Sequence, residues 1–428
     1  MATGRFHLPV AAATSEGDYR VRWYDYDGTL LKTEYVDSGN AATPPDNPSH
    51  TYLTFDTWNR AYSNVVSDMD IGASFNTTDG KTYLRIEVST AIGMSPTLYL
   101  NKSTTDQMTV DWGDTNSDNS SSSGDVSFNH TYSSAGKYVI TITCAGAFSV
   151  GQGSFSYPLV SSSYQYCLYE AYLGSNVSVA DYAFYNLKTL LYVAIQDSIT
   201  SFGDFVFFGC SSLSALIFPN SFTSTGESCC QNCGALRTVC LSDSITTIAE
   251  ECFDFASALE SMIMPNSVTT LGYQAFYSCS SLREVHISTG LTTILTTSTN
   301  AYTFGSCNFK ALTFPSGITT VPNYLLHSCS KLEELTFSGN ITTYGNSIGS
   351  NLITSFTIPS TCTSIGTILN SCNLLLEIVV NATTPPTLSA SAFEFLPANA
   401  KIYVPDANLS TYKAATNWSS FADQIFSI

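Results

Sequence analysis

The chain has 428 residues, 44% of them hydrophobic and only 12% charged, with 34 acidic against 16 basic side chains and a net charge of −18. That length allows about three domains, and the acidic balance excludes a nucleic-acid partner, which needs a basic footprint. No apolar run has the length of a membrane-spanning helix, so no membrane insertion is expected.

Residues 1–16 read as an N-terminal arm. Their apolar stretch "LPVAAAT" contains Pro and is too short for a signal-peptide core. Residues 17–75 form a small β-rich unit with a "DYDG" turn at 25–28, Pro44 and Pro45, and the aromatics Phe55 and Trp58. Residues 76–147 form a second unit. It carries Trp112 and Gly113 in a "WGD" turn, a Ser-rich exposed loop at 119–123 and the alternating strand "KYVITIT".

Residues 148–380 repeat. Copies open at Ile199, Phe222, Ile245, Val268 and Leu291, a period of 23; after a four-residue insertion they resume at Ile318 and Ile341. A shortened copy begins near Cys362 and a degenerate one at Asn176. A fixed period of this length marks a solenoid. Phe184, Phe207, Phe253 and Phe276 share one column, and Leu190, Leu213, Leu236, Leu259, Leu282 and Leu332 another. Each copy ends with two apolar residues flanking one outward position, the period of a β-strand. Such strands stack in parallel at about 4.8 Å per coil. Residues 381–428 read as a cap, with a last strand at Ile402 and Val404 and with Trp418 and Phe421 over the open end.

The thirteen cysteines are odd in number and cannot all pair within one chain. Cys210, Cys233, Cys279, Cys307, Cys329 and Cys372 occupy one column, which Leu187 and Ala256 fill in other coils. A position shared with Leu and Ala is an apolar slot, and free Cys behaves as a small hydrophobe. "CCQNC" at 229–233, with Cys252 and Cys240 on neighbouring coils, is the best metal candidate, but it has no second tight pair of ligands, and no metal is expected. Asp111, Asp114, Asp118 and Asp125 have the chemistry of a calcium loop; turn formation explains them better. The adjacent acids Glu250 and Glu251 read as solvated. The five histidines meet no nucleophile, no G-x-S-x-G or H-E-x-x-H motif is present, and neither enzyme activity nor a cofactor is expected.

The outward position of the repeated strand reads Ala194, Ile217, Cys240, Ile263, His286, Thr313, Thr336 and Thr357. Stacking places these in one ladder whose middle is apolar. Ile217, Cys240, Ile263 and His286, with Tyr192, Thr238 and Glu284 as a polar rim, are the candidate binding residues. Two readings stand side by side: an external partner binds this face, or another element such as a loop or neighbouring subunit covers it. Thr246 and Thr247, Thr269 and Thr270, and Thr292 and Thr293 form a second ladder that suits β-structure.

The repeat block and its tail resemble the BspA-type leucine-rich repeats known from surface proteins of bacteria and some protozoa. Residues 110–143 resemble a PKD-type immunoglobulin-like domain, and residues 19–60 are similar to the Listeria–Bacteroides (internalin B-type) repeat. The resemblance implies a mainly β protein: a leucine-rich-repeat solenoid of 23-residue repeats with parallel strands, preceded by two small β-rich domains. It also implies a non-enzymatic extracellular binding or adhesion protein. Its partner would be a protein or glycan on a cell surface or a neighbouring virion protein, and it would be a possible homo-oligomer. An unsigned Met1 on such modules favours a bacteriophage virion component, such as a head or tail fibre; a bacterial cell-surface or secreted adhesin is the alternative.

Overall fold

Alternating apolar and polar residues make β1 (Tyr19–Tyr24), and the "DYDG" turn ends it. There the Asp25 carboxylate accepts the Tyr26 N–H, and Gly28 takes φ +83°. With β2 (Leu30–Val36), β3 (Leu53–Trp58) and β4 (Met69–Thr77), β1 forms a four-stranded sheet in the order β2-β1-β4-β3. Trp23 and Trp58 meet edge to face at 4.9 Å inside it, beside Ile71 and Phe75. The computed structural model describes residues 17–428 except 347, 350 and 394; the arm at 1–16 lies outside the described residues.

The next segment is a β-sandwich. It contains β5 (Thr82–Val88), β6 (Thr97–Lys102), β7 (Met108–Asp111), β8 (Ser117–Ser120), β9 (Gly124–Asn129) and β10 (Gly136–Cys144). Trp112 is fully buried; its indole N–H donates to Asp118, and its carbonyl accepts the Tyr132 hydroxyl. Both sandwich sheets run directly into the solenoid. β11 (Phe148–Val150) joins β6 to β13 (Val177–Val179), and β12 (Leu168–Tyr172) joins β5 to β14 (Tyr192–Ala194). One hydrophobic core therefore extends from Leu84 to Ile425, and the sandwich closes the upper end of the stack.

Downstream, parallel strands repeat as the 23-residue period requires. The register is Leu216 with Val239, Met262 with Val285, and Leu335 with Leu312. The phenylalanine column stacks inside: Phe184 on Phe207 at 5.2 Å, Phe253 on Phe276 at 5.5 Å, and Phe276 on Phe304 at 5.4 Å. Cys230 holds that column in the coil that lacks Phe. At this corner each coil from Tyr182 to Ser328 carries two left-handed residues four apart, such as Glu251 with Phe255 and Gln274 with Ser278. Left-handed backbone is costly for side chains other than Gly. It lets alternate N–H groups, those of Glu251, Phe253 and Phe255, all reach the next coil, onto the carbonyls of Tyr273, Ala275 and Tyr277. The threonine ladder works similarly: the Thr269 and Thr292 hydroxyls donate to the carbonyls of Thr246 and Thr269 one coil back.

The far end is covered by a short helix, Leu409–Ala414, with Tyr412 and Trp418 buried and their polar tips donating to the carbonyls of Ala382 and Pro386. Lys401–Val404 is not the last strand: Ile425–Ser427 pairs with it in parallel and carries the sheet one coil further. Among the described residues, no helix is long and apolar enough to cross a membrane.

Candidate binding site on the strand ladder

Cross-strand register puts Ile217 beside Cys240 and Ile263 beside His286 on the outward face of the stack. Ile217, Cys240 and Ile263 are nevertheless buried, at 4%, 0% and 2% exposure. The N-terminal sheet lies on them. Tyr24, Ile217 and Cys240 make a small core of their own. Gly72 on β4 comes so close that a Cβ there would collide with Cγ2 of Ile217 and lie 3.2 Å from Cβ of Cys240. At the same seam Gly28 would place a Cβ 2.6 Å from that of Ala215 and 3.3 Å from the Thr238 hydroxyl.

Polar groups fix the orientation of this contact. Asn59, fully buried, donates from Nδ2 to the carbonyls of Phe218 (2.9 Å) and Cys240 (3.1 Å), and its Oδ1 accepts the Gly72 N–H at 2.7 Å. Arg22 makes a two-pronged pair with Asp70 at 2.6 and 2.7 Å and reaches the Ser261 hydroxyl at 3.0 Å. Arg60 pairs with Asp243 at 2.9 Å. Tyr26 packs edge-on to Tyr172 and Tyr192.

The seven sequence-derived site residues thus gather at one interface, but its partner is the chain's own N-terminal sheet. For Ile217, Cys240 and Ile263, an open face for an external partner is corrected to an internal docking surface. A contiguous apolar ladder is too costly to leave in water, and β1 and β4 remove it. His286 and Glu284 mark the downstream limit of this cover.

There the His286 Nε2 lies 3.0 Å from Glu284 Oε1 and 3.7 Å from Asp68 Oδ2. Arg20 reaches Glu284 Oε1 at 2.5 Å, and its backbone N–H donates to Asp68. The hydrogen bond from His286, aided by Arg20, pulls the Glu284 carboxyl down to about 2; the same hydrogen bond, with Asp68 nearby, raises the His286 imidazole above its ordinary 6.5. Asp68, Glu284 and His286 are the described residues whose ligand atoms approach a metal-binding triplet, all within 4.8 Å. The Arg20 guanidinium already supplies positive charge there.

Past this latch the ladder is open. Thr313, Thr336 and Thr357 are exposed. Beside them lies a groove of about 670 Å³ floored by Val285, Ala311 and Leu352 and edged by Arg283, Lys310 and Lys331, together with Glu284, His286 and Glu333. Three of the chain's 16 basic side chains converge here, in a chain whose overall net charge is −18.

Apart from Cys240 at the docking seam, the cysteines take no part in either surface. Those of the repeated column point inward, and five of the six thiols donate to the carbonyl of a phenylalanine one coil back: Cys210 to Phe184 (2.9 Å), Cys233 to Phe207 (3.1 Å), Cys279 to Phe253 (3.1 Å), Cys307 to Phe276 (3.2 Å) and Cys329 to Phe304 (3.0 Å). Burial pushes the Cys329 thiol up to about 12 and that of Cys279 higher still, away from the nucleophilic thiolate. Cys229 and Cys230 lie 4.0 Å apart, both fully buried. The four acids of the sandwich do not converge. Asp111 caps Gly113, Asp114 binds His130 and Asn116, Asp118 takes Trp112, and Asp125 takes Asn101.

The family model for the BspA type leucine rich repeat region matches residues 177–300 and 297–420, more than half of the chain, with six copies. The chain belongs to the BspA-type leucine-rich repeat family. No curated protein sequence matches this BspA-type chain. Among solved structures it is similar to a leucine-rich repeat protein of T. pallidum (20% identity, 41% of this chain and 78% of that one, TM-score 0.30). It is also similar to a leucine-rich cell surface protein of Faecalibacterium prausnitzii (20%, 65% and 86%, TM-score 0.34) and to the pneumococcal vaccine antigen PcpA (14%, 67% and 84%, TM-score 0.37).

In this BspA-type protein, the residues that sequence reasoning missed are those that recognise the ladder from outside the repeat: Gly72, Asn59, Arg20 and Arg22. Each stands in a unit without periodicity. The one available signal was Gly72 inside the strand "MDIGASFNT", because a glycine within a strand often marks close approach of another surface.

Proposed function

We propose that the chain is a non-enzymatic cell-surface or secreted binding protein whose contact face is the uncovered part of the ladder and the groove beside it. The observation that carries this reading is the groove itself. An apolar floor with a charged edge, on which Arg283, Lys310 and Lys331 stand with Glu284 and Glu333, lies on the family's repeated strand face, directly where the N-terminal sheet stops. The family's occurrence in surface proteins supports the setting, and the partner class is a protein or glycan of another cell. The units ahead of the repeats, read as a Listeria–Bacteroides-type repeat and a PKD-type domain, act as its rigid base. A bacteriophage virion component is the narrower reading; the family match favours the surface protein, and co-purification with phage particles would reverse that order.

The test is attachment of protein-coated beads to epithelial cells and to mucin. Lys310→Glu with Lys331→Glu should abolish attachment while the melting temperature stays unchanged. Unchanged attachment would remove the groove from the reading.

A further inference from the structure

A second cleft lies where the three parts of the fold meet, and it shares no residue with the groove. Its walls come from Tyr26 in the turn after β1, from His50, Thr51 and Tyr52 before β3, from Arg85 and Val139 on the sandwich, and from Tyr172 on the first solenoid strand. The volume is about 360 Å³. Small-ligand pockets occupy roughly 300–1,000 Å³ and favour domain junctions.

Three features show that the cleft is organised. Tyr52 holds φ 68°, a conformation that a bulky side chain keeps only when its surroundings impose it. Its ring is stacked on Tyr83 at 4.4 Å and is 37% exposed, so one face is covered and the ring still borders the cleft. His50 is held through Nε2 by the Asp25 carboxylate at 2.7 Å, which fixes the imidazole and leaves its Nδ1 without a partner among the described residues. The Nε of Arg85 is buried and unpartnered, while its Nη1 pairs with Glu170 at 2.8 Å.

These groups also state what fits. Glu170 compensates Arg85 and takes the Tyr172 hydroxyl at 2.5 Å, and Asp25 sits behind His50, so no cation is left over for an anion. An apolar ligand would strand the free edge of His50 and the Thr51 hydroxyl, at a cost in unmade hydrogen bonds. A molecule with one C–H face for a tyrosine ring and hydroxyls around its edge meets both demands. We propose that this cleft binds a single neutral hexopyranose residue, with its C–H face on Tyr52 and its hydroxyls toward His50 and Thr51. This goes beyond the groove reading and does not depend on it.

Saturation-transfer NMR on the full chain with the methyl glycosides of glucose, galactose, mannose and N-acetylglucosamine tests the assignment, with glucuronate as the anionic control. At least one neutral glycoside should receive saturation, more strongly than glucuronate. Tyr52→Ala should weaken binding by about ten-fold, the scale of one lost aromatic stack. Thr51→Trp, on the exposed rim, should block the cleft without touching its internal bonds, so the test survives if Tyr52→Ala folds poorly. No transfer from any of the four, an unchanged signal in Thr51→Trp, or a preference for glucuronate overturns the proposal.

Discussion

The Cys279 thiol donates to the carbonyl of Phe253, 26 residues earlier and one coil back, at 3.1 Å. Four other cysteines of the same column repeat this bond, each onto a phenylalanine carbonyl. In these five coils the slot holds a side chain that is apolar enough for the core and still has a weak donor; the coils with Leu187 and Ala256 in the slot do without the bond. Cys279→Ala should lower unfolding stability by about 1–2 kcal/mol through lost packing. Cys279→Ser, of similar shape and still a donor, should lose less. Urea denaturation of the two variants checks the order; a larger loss for Ser would show that burial outweighs the hydrogen bond.

Twelve of the thirteen cysteines are buried and Cys144 is half-buried, all of them free. With Ellman's reagent the native protein should release at most one equivalent of thiol rapidly, and all thirteen only in denaturant. Fast labelling of several thiols in the folded state would contradict the packing described for the column.

At the docking seam, Gly72→Ala forces a methyl group into Ile217, and overpacking of this kind costs about 1–3 kcal/mol. The expected result is a lowered melting temperature together with faster proteolysis between residues 17 and 77, while the solenoid resists. Asn59→Ala should act in the same direction, because it leaves the Gly72 N–H without its acceptor and takes one donor from each of the Phe218 and Cys240 carbonyls, the latter keeping the Phe218 N–H.

The latch of Arg20, Asp68, Glu284 and His286 gives docking a pH dependence. His286 is raised above 6.5, so its contribution is full below that value and is lost as pH rises through the raised one. Glu284 is lowered from 4.5 to about 2, so its contribution is present above 4.5 and lost as pH falls toward 2. The window in which both act lies between about 4.5 and 6.5. In a melting-temperature profile against pH, His286→Ala should remove the decline on the alkaline side and shrink the one on the acid side to the share that Arg20 supplies, because the hydrogen bond that lowers Glu284 comes first from His286. An identical alkaline decline in that variant would assign the dependence elsewhere.

The solenoid was legible because the same coil is written many times, so the columns at Phe184, Leu190 and Cys210 average out local noise. The ladder was legible for the same reason, and all seven of its chosen residues lie at one interface. What covers it was not legible. Docking of Gly72 onto Ile217 joins positions far apart in the chain, and neither segment carries a period that betrays the other. The groove was missed because Lys310 and Lys331 stand at different positions of successive coils, so no column of the repeat brings them together. The shared core of sandwich and solenoid left no mark at residue 148, because pairing of β12 with β5 needs only ordinary strand sequence.

The N-terminal sheet touches rungs from Tyr172 to His286, so it acts as a splint across six successive strands. Inserting or deleting a whole repeat beneath it would displace Glu284 from Arg20, Ser261 from Arg22 and Asp243 from Arg60 together. Beyond Leu291 no such constraint applies. A repeat added or lost in the downstream coils would leave those three contacts intact and change the length only of the end that carries the open ladder.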